Sequence, residues 1–373
     1  GNNTVTLGRG GIHSCEGPRM LLSDEEYVYI QTDIGSQYPN AYLKYGLFPS
    51  HLGKAANEMA RHKIERRLHD KEMFKKTKEP KYKSLSELGK DALNGGLYRK
   101  LRQRGSFLED PICQLKITMG CQLEILMITE ALIEAGHNVI SLNTDGFDTL
   151  VERKRLNEFY SLCKEYEKKI GNDNLGNFEY TNFKWIVQTS VNVYLAEKED
   201  GELKKKGDFS TDVEVHENKS RRIDTLALEA YYTTGEKPEN FITRHKNIYD
   251  FVIGVKATKH YHYETFDRKT GEREENKRLV RYYVSINGKR LLKVKNEGSD
   301  APGNKISECE APDVSKIWLC TVANKIDESA LIESYNIDYE YYIRKANRII
   351  LSVKREKKVT KEKPKDTNQL QLF

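Results

Sequence analysis

The sequence has no closely spaced cysteine pair, although it contains six cysteines among 373 residues. They are scattered along the chain without a CxxC motif: Cys15, Cys113, Cys121, Cys163, Cys309 and Cys320. A disulfide scaffold and a structural zinc site are therefore not expected, and a reducing cytoplasm is the expected setting.

The chain also lacks a recognisable signal peptide, an internal repeat and an apolar run that looks long enough to cross a bilayer. No membrane association is therefore expected. The chain begins Gly-Asn-Asn without a methionine, so we expect a trimmed or partial chain.

Neither sign of charge dominates, since 62 Lys and Arg residues against 56 Asp and Glu residues leave a net charge of +6. This excess permits a polyanionic partner without requiring one. With 38% hydrophobic and 32% charged residues, the chain can form two or three subdomains under a heavily charged surface.

A tight polar tip, Asn143-Thr144-Asp145-Gly146, separates two apolar runs within residues 139–150. This pattern predicts a β-hairpin that holds the Asp145 carboxylate at its turn. A second carboxylate, Asp33, lies near the end of a strand predicted over residues 26–34. Two carboxylates at the ends of adjacent buried strands make a site for hard divalent cations, which can bind phosphates.

Two basic helices are predicted between these carboxylates, over residues 54–74 and about 84–101, and a short turn would join them as a hairpin. Residues four apart share one helix face. Two such pairs are candidates for anion binding: Arg67 with Lys71, and Lys90 with Asn94. Each pair alone is more typical of a solvated helix face.

The remaining elements are coarser predictions. Residues 114–135 form the most regular helix, with these apolar residues expected to pack under a sheet: Leu115, Met119, Leu123, Leu126, Met127, Ala131 and Leu132. The elements predicted after it are, in chain order, a helix over 155–170, strands over 183–197 and 202–209, helical segments over 225–233 and 238–250, a strand over 279–286 and a helix over 339–350.

In chain order, these features resemble the polymerase domain of family B DNA polymerases, particularly phage-type members. Asp33-Ile34-Gly35-Ser36-Gln37-Tyr38-Pro39 resembles motif A, DxxSLYP, with Gln37 in place of Leu. Lys90 and the following Asn94-Gly95 resemble motif B, and Asn143-Thr144-Asp145-Gly146 resembles the phage form of motif C, whose cellular version is DTDS.

Two further motifs extend the resemblance to roughly residues 8–210. Gly10-Gly11-Ile12-His13 resembles the Gly-Gly motif that opens the palm, and Lys204-Lys205-Lys206-Gly207 resembles the lysine motif after motif C. The family's proofreading exonuclease would precede the Gly-Gly motif, where few residues are available. Polymerisation without editing is therefore expected unless another polypeptide supplies that domain.

The chain departs from the family pattern at two places. Asn143 replaces the first acid of DTDS, whereas the second acid, which matches the metal ligand, is present as Asp145. Gly96-Leu97-Tyr98-Arg99-Lys100 stands where the family has an aromatic residue, then Gly, then Lys. Either Leu97 and Tyr98 are substitutions, or one residue is inserted and Tyr98 takes the aromatic role.

The resemblance implies an α+β, right-hand polymerase architecture with an antiparallel-sheet palm, helical-hairpin fingers and a mixed, largely helical thumb. The implied boundaries are palm over 1–53 and 105–212, fingers over 54–104, thumb over 213–353, and a disordered, lysine-rich tail over 354–373.

The resemblance also implies roles for individual residues. Asp33 and Asp145 would be catalytic and, with the carbonyl of Ile34, would bind two Mg²⁺ ions, for which Mn²⁺ can substitute. Asp148, on the strand after the hairpin turn, could face the same cleft, although an exposed position is the simpler expectation.

Nucleotide and DNA contacts complete the implied site. Tyr38 would stack under the deoxyribose and exclude a 2′-hydroxyl; its alternative is a core tyrosine. The nucleotide-binding set is Ser36, Gln37, Tyr38, Arg67, Lys71, Lys90 and Asn94. The DNA-binding set is Gly10, Gly11, Thr144, Lys204 and Lys206, with the glycines near the template backbone and Lys206 near the primer terminus.

The last five residues resemble the peptide by which bacterial replication proteins bind the sliding clamp. Its anchors would be Gln369, Leu370, Leu372 and Phe373. Tethering to a ring around DNA would raise processivity.

The sequence therefore predicts a monomeric, template-directed DNA polymerase that extends primer–template DNA with dNTPs in phage or prophage replication, in the bacterial host cytoplasm. Two alternatives stay open. A reverse transcriptase shares the two-carboxylate arrangement but usually carries paired acids at the hairpin. A catalytically impaired, clamp-tethered DNA-binding protein would tolerate the altered residues after Asn94.

Overall fold

The structure is a computed structural model that describes residues 5–14, 17–171, 178–190, 192–210, 220–313, 316–323, 326–327 and 329–356. The clamp-like peptide 369–373 lies outside the described residues, as do Cys15 and nearly all of the tail predicted to be disordered. The chain divides into two compact units. The first comprises Gly1–Asn192, Ala196–Lys204 and Arg355–Phe373, and the second comprises Val193–Leu195 and Lys205–Lys354.

The first unit is built on an antiparallel sheet. Its strands are β1 (Val5–Gly8), β2 (Gly11–Ser14), β3 (Arg19–Leu22), β4 (Tyr27–Ile34), β5 (Asn138–Asn143), β6 (Gly146–Glu152), β7 (Phe178–Ser190), β8 (Val193–Lys198) and β9 (Leu203–Lys206). A further edge strand, β16 (Lys354–Glu356), lies within the tail predicted to be disordered, so that prediction is wrong for these three residues. The order across the sheet is β1-β2-β5-β6-β4-β7-β3-β16, while β8 pairs with β7 and with β9. The predicted strand over 183–197 is therefore two strands, β7 and β8.

Alternation along the central strands separates an apolar face from a polar one. Val28 and Ile30 of β4 belong to a buried cluster with Phe147 and Val151 of β6. The intervening β4 residues, Gln31 and Asp33, point to the opposite face. The predicted hairpin is confirmed, because β5 and β6 pair up to Asn143 opposite Gly146 and leave a two-residue turn.

Among the described residues of this unit, the α-helices are α1 (Gln37–Tyr45), α2 (Gly53–Thr77), α3 (Pro80–Asp91), α4 (Arg99–Leu101), α5 (Pro111–Glu134) and α6 (Leu156–Lys169). The predicted helical hairpin is confirmed as α2 and α3, which pack together. Lys78 ends α2 in the left-handed conformation, with φ of 58°, and Pro80 begins α3. A left-handed residue commonly ends a helix and proline is favoured at a helix start, although this left-handed position usually holds glycine rather than lysine.

A π-helical segment, Ala92–Tyr98, joins α3 to α4. A π-helical turn closes its hydrogen bonds one residue later than an α-helical turn, and single π turns inside α-helices are frequent at functional sites. The second predicted helix of the hairpin is therefore interrupted at the stretch where the sequence departs from the family pattern.

Helix α5 packs by a different side from the one expected. Its buried apolar residues are Cys113, Ile117, Cys121, Ile125, Ile128 and Leu132. Four residues predicted to be core are about half exposed instead: Leu115, Met119, Leu123 and Met127. The helix is apolar on nearly all sides, so its sequence period does not identify the face that the sheet covers.

Helix α5 is also long and apolar enough to cross a membrane by length and composition, contrary to the sequence-based expectation. In the fold, 56% of its most apolar 18-residue window is buried. Burial of that extent is what a core helix shows, so this helix is weak support for a membrane span.

The part of the second unit that the structure describes contains a six-stranded sheet and three α-helices. The strands are β10 (Ile253–Lys256), β11 (Tyr261–Phe266), β12 (Arg273–Asn276), β13 (Leu279–Lys295), β14 (Ile306–Glu308) and β15 (Cys320–Val322). The helices are α7 (Arg222–Thr234), α8 (Pro238–Arg244) and α9 (Tyr339–Ser352).

Strand β13 organises this second sheet, since β10, β11, β14 and β15 all pair with it antiparallel. The core is rich in aromatic residues, including Phe251, Tyr282, Trp318, Tyr341 and Tyr342. The prediction that this region is largely helical is therefore wrong. The predicted strand over 279–286 is present but continues to Lys295, and the predicted helix over 238–250 ends at Arg244.

Candidate active site

The structure brings Asp33 and Asp145 to the same end of two adjacent strands. Asp33 of β4 lies opposite Gly146 of β6, the residue that follows Asp145 in the hairpin. The amide of Ile34 donates a hydrogen bond to the Asp145 carbonyl, with N and O 2.6 Å apart. The turn that carries Asp145 is therefore joined directly to the end of the strand that carries Asp33.

Gly146 explains how the two strands approach so closely here. A Cβ atom at this position would lie 2.3 Å from the Thr32 carbonyl oxygen and 2.7 Å from Asp33 Oδ1. Both distances are shorter than real Cβ contacts, and the first involves backbone, which cannot swing away as a side chain can. The glycine of the motif is therefore a packing requirement for bringing the hairpin against Asp33.

The donor set at this point fits a hard divalent cation. Carboxylate oxygens suit Mg²⁺, which is usually held by one or two carboxylates together with substrate phosphates rather than by an all-protein cage. The described part of the chain has no group of three or more His, Cys, Asp or Glu residues that could hold a metal. Asp33, Asp145 and the adjacent Ile34 therefore fit a magnesium site that a phosphate ligand completes.

The Gly-Gly motif packs against the hairpin turn. A Cβ on Gly11 would lie 2.5 Å from Thr144 Oγ1, and this hydroxyl is 3.4 Å from Nε2 of His13. Gly11 and Thr144, both predicted to contact DNA, thus contact each other. Gly10 has open space at its Cβ position, so only this glycine of the pair leaves room for close approach by another backbone.

Tyr38 is held in place by two contacts. Its hydroxyl donates a hydrogen bond to the Gly10 carbonyl, with O and O 2.7 Å apart. Its ring stacks on Tyr98, with centroids 4.7 Å apart and an interplanar angle of 12°. Burial, with smaller contributions from Tyr98 and Asp145 among others, raises the pKa of Tyr38. Tyr38 is half-buried and packs against the core cluster that includes Ala41 and Tyr42.

Tyr98 is fixed from its other end by α5. Its hydroxyl lies 2.7 Å from Thr118 Oγ1 and accepts a hydrogen bond from Gln114 Nε2 at 2.8 Å. The π-helical segment that ends at Tyr98 takes up one more residue per turn than an α-helix. This arrangement favours the insertion alternative, in which Tyr98 takes the aromatic role despite the changed spacing.

The two other motif A residues differ in their placement. Ser36 has a left-handed backbone, with φ of 57°, and its hydroxyl accepts a hydrogen bond from Arg67 at 2.7 Å. Gln37 is 5% exposed and its amide donates to the Cys121 carbonyl. The Gln37 side chain therefore packs in the core. This buried position does not agree with the prediction that the Gln37 side chain binds the nucleotide.

A basic row lines one side of α2. Arg67, Lys71 and Lys75 are spaced four residues apart and therefore project from the same helix face. Burial lowers the pKa of Arg67, and Glu179 partly offsets that effect. The helices are close here, because a Cβ on Gly89 of α3 would lie 3.1 Å from Arg67 Cβ.

The motif B residues lie at the end of α3 and just beyond it. Lys90 is exposed in the last turn of α3, and Asn94 is half-buried within the π-helical segment. The π turn falls between Lys90 and Tyr98. It therefore determines how the Lys90 side chain is oriented relative to the stacked rings of Tyr38 and Tyr98.

Glu179 is a site residue that sequence reasoning missed. It lies opposite Asp33 on β7, and its carboxylate is 3.0 Å from Lys71 Nζ and 2.6 Å from Lys75 Nζ. Burial opposes its ionisation, but these two ion pairs outweigh that effect and lower the pKa of Glu179. No motif signalled Glu179, since its position depends on the pairing of β4 with β7.

The lysine motif is only partly available for DNA. Lys204 Nζ donates a hydrogen bond to Gln31 Oε1 at 2.6 Å and lies 5.7 Å from the centroid of the Phe183 ring. Its predicted DNA contact would require breaking these contacts. Lys206 Nζ lies 5.9 Å from the centroid of the Tyr194 ring, a long cation–π distance that leaves the ammonium group less restricted.

Asp148 is buried rather than exposed, which corrects the simpler expectation. Its carboxylate accepts hydrogen bonds from Ser141 Oγ at 2.5 Å and from Gln31 Nε2 at 3.2 Å. Burial raises its pKa, although these hydrogen bonds and Arg19 act in the opposite direction. Asp148 therefore anchors Gln31, which in turn holds Lys204, and does not line an open cleft.

Comparison with protein-family models gives no match, and no curated protein matches the sequence. Among solved structures, the chain is similar to a family B DNA polymerase from the hyperthermophilic archaeon Pyrobaculum calidifontis. The sequence identity is 15% and the TM-score is 0.44. The match covers 90% of this chain and 46% of that polymerase, so the chain spans about half of its length.

Proposed function

We propose that this protein is a template-directed DNA polymerase of family B, of the phage type, that adds dNTPs to a primer 3′-hydroxyl. The observation that carries the proposal is the meeting of Asp33 and Asp145 at one end of adjacent strands. The order of the motifs along the chain supports it, because Tyr38 and the basic row of α2 follow the first carboxylate and precede the second.

Asp33 and Asp145, with the Ile34 carbonyl, would hold two Mg²⁺ ions through hard oxygen atoms. Bound there, the ions would supply charge neutralisation of the triphosphate and activation of the primer hydroxyl. Arg67, Lys71 and Lys90 would add charge-assisted hydrogen bonds to the phosphates, where negative charge builds during transfer. The protein's own contribution is thus alignment and charge stabilisation.

Tyr38 would select the sugar. Its ring is fixed by the Tyr98 stack and by the hydrogen bond from its hydroxyl to the Gly10 carbonyl. A fixed ring under the deoxyribose leaves no room for a 2′-hydroxyl, so dNTPs would be preferred over ribonucleotides. Asn94, Ser36 and Lys206 would complete the nucleotide and primer contacts, and Gly10 would allow the template backbone to approach.

The wider setting belongs to the same proposal. The protein would act as a monomer on primer–template DNA, in phage or prophage replication in a bacterial cytoplasm. The peptide 369–373 would tether it to a sliding clamp. An excess of positive charge, +6 over the whole sequence, supports a polyanionic partner.

Primer extension by the purified protein tests the activity. We expect Mg²⁺-dependent extension of a primed DNA template that Asp145→Asn reduces by at least about a thousand-fold, because removing a metal-binding carboxylate removes transition-state stabilisation. Asp200→Asn is a matched control, since Asp200 is an exposed turn residue that caps the Glu202 amide. Asp33→Asn should match Asp145→Asn.

Three results would contradict the proposal in different ways. Extension unaffected by Asp145→Asn would place the active site elsewhere. Strong preference for an RNA template would favour the reverse transcriptase alternative. Binding of primer–template DNA without nucleotide addition in Mg²⁺ or Mn²⁺ would favour the catalytically impaired DNA-binding protein.

A further inference from the structure

Glu179 lies on β7, the strand that pairs with the strand of Asp33. Its side chain forms ion pairs with the basic row of α2. On an antiparallel pair, residues directly opposite each other project to the same face, and their Cβ atoms lie roughly 5 Å apart. Glu179 stands in this relation to Asp33. Two carboxylates so placed repel each other, and such a pair is destabilising unless cations lie nearby.

The cations come from α2. Lys71 and Lys75 both place their ammonium groups within ion-pair distance of the Glu179 carboxylate, at 3.0 and 2.6 Å. They are consecutive members of the basic row that begins with Arg67, whose guanidinium is bonded to Ser36. The basic side of α2 is therefore held against the strand end by a hydroxyl and a carboxylate.

This contact bears on the proposed function, on which the inference rests. A triphosphate that enters between Asp33 and α2 needs Lys71, and a carboxylate with two acceptor oxygens already occupies this lysine. The ammonium group of a lysine carries one positive charge, so its ion pair with Glu179 offsets part of its attraction for a phosphate. Binding of the nucleotide and the Glu179–Lys71 ion pair are then competing states.

We propose that Glu179 is a positioning residue that pairs with Lys71 and Lys75 and competes with the incoming triphosphate for them. Glu179 thereby sets how tightly the phosphates of a nucleotide bind. It keeps the basic row pointed at the site without a ligand, and it lowers the affinity for anions that lack the rest of the nucleotide.

The exposure of the groups indicates that this contact opens readily. The side chains of Lys71, Lys75 and Glu179 are 29%, 59% and 41% exposed. Ion pairs at this exposure are weak, and each released group can be rehydrated at the surface. Glu179 therefore tunes affinity by several-fold rather than blocking the site.

The direct test is to titrate the full chain with inorganic tripolyphosphate and to measure the dissociation constant by calorimetry. We expect Glu179→Gln to bind tripolyphosphate roughly three- to ten-fold more tightly than the wild type, because two weak, partly exposed ion pairs no longer compete. Glu179→Asp, which keeps the charge, should bind much more nearly as the wild type does.

Glu72→Gln is the matched control for charge. Glu72 lies on α2, the helix of Lys71 and Lys75, and its substitution removes one negative charge, as Glu179→Gln does. Glu72 pairs with Lys76, which is not part of the row that faces Glu179. An equal gain in affinity for Glu72→Gln would mean that general electrostatics, rather than release of Lys71, explains the effect. Equal or weaker binding by Glu179→Gln, or no binding by any variant, would overturn the proposal.

A kinetic measurement separates this role from a structural one. We expect Glu179→Gln to lower the KM for dNTPs by a similar factor, with a much smaller change in kcat and no change in affinity for primer–template DNA. A fall in kcat with unchanged KM would overturn the proposal. Since the titration needs no turnover, absence of primer extension would contradict the polymerase function while leaving the titration result to decide the role of Glu179.

Discussion

The rings of Tyr38 and Tyr98 lie stacked, with centroids 4.7 Å apart and only 12° between their planes. Tyr38 follows the first candidate metal ligand, and Tyr98 ends the π-helical segment of the predicted fingers. The stack therefore connects Tyr38, the residue proposed to face the sugar, to the basic hairpin. It also gives Tyr98, whose spacing from Asn94 departs from the family motif, a definite structural role.

Removing the Tyr98 ring should impair sugar selection. We expect Tyr98→Ala to lower the free energy of unfolding by at least about 1 kcal/mol, since aromatic pairs add to ordinary burial. It should also raise ribonucleotide incorporation relative to dNTPs, because Tyr38 loses the ring that fixes it. Tyr98→Phe keeps the stack and loses only the hydrogen bonds to Thr118 and Gln114. Discrimination that stays unchanged in Tyr98→Ala would show that the stack does not position Tyr38.

Deleting Gly96 should be tolerated. A π turn holds one residue more than an α turn, so the deletion can convert Ala92–Tyr98 to regular α-helix while both flanks keep their orientation. Gly96 also has open space around it. We expect thermal denaturation to give an unchanged or higher Tm. Deleting Glu87 from the middle of α3 is the control, because it rotates the following residues by about 100°. Equal damage from both deletions would argue against an inserted residue.

Gly146→Ala should damage both stability and activity. Its Cβ would lie 2.3 Å from the Thr32 carbonyl, so β4 and β6 must separate next to Asp33 and Asp145. We expect a loss of about 1–3 kcal/mol in unfolding free energy, as for other overpacked sites, with a larger fractional loss of primer extension. Gly95→Ala is the control, since nothing lies within 4 Å of its Cβ position. Normal extension by Gly146→Ala would mean that the close approach is unnecessary.

The second unit should lose stability as pH rises towards neutrality. Asp224 of α7 is 5% exposed, and Oδ1 has no hydrogen-bond partner within the described residues. Burial, opposed by Arg221 and Lys345, raises the pKa of Asp224 to about 7. The folded state therefore binds more protons than the unfolded state between about pH 4 and 7, so its stability falls across this range.

Asp224→Asn tests this effect because asparagine has no carboxyl group that can take up a proton in this pH range. We expect the difference in unfolding free energy between pH 5 and pH 8 to shrink by up to about 2.7 kcal/mol, because the folded-state pKa of about 7 lies two units above pH 5. Chemical denaturation at both pH values measures it. The exposed carboxylate of Asp267 provides a matched control, Asp267→Asn. An unaltered pH dependence in Asp224→Asn would contradict the assignment.

The terminal peptide makes a separate prediction. Removing residues 369–373 should shorten the products made in the presence of a bacterial sliding clamp, because the tether that raises the local concentration of primer ends is lost. Short extensions without the clamp should be unaffected. An equal loss with and without the clamp would count against clamp binding.

Local patterns in the sequence were sufficient for the strand ending near Asp33, the hairpin at Asp145 and the basic helical hairpin. Alternating or helical periodicity, a glycine at a turn and a proline at a helix start act over a few residues, so they can be read without a fold. The same local character explains why the π turn was missed. The extra residue was visible after Asn94, but whether it was an insertion depended on where Tyr98 packs.

Tertiary structure alone decided the rest. Glu179 faces Asp33 only because β7 pairs with β4 across more than a hundred intervening residues, and no local signal encodes that partner. Helix α5 is apolar on nearly all sides, so the sheet rather than its period chose Ile117 and Ile125 for burial and left Met119 exposed. The sequence likewise did not predict the sheet around β13. Strand formation there depends on packing against neighbouring strands more than on the propensity of each segment. The sequence by itself thus determined the residues that carry the proposed chemistry, and the packing of distant segments determined which of them meet.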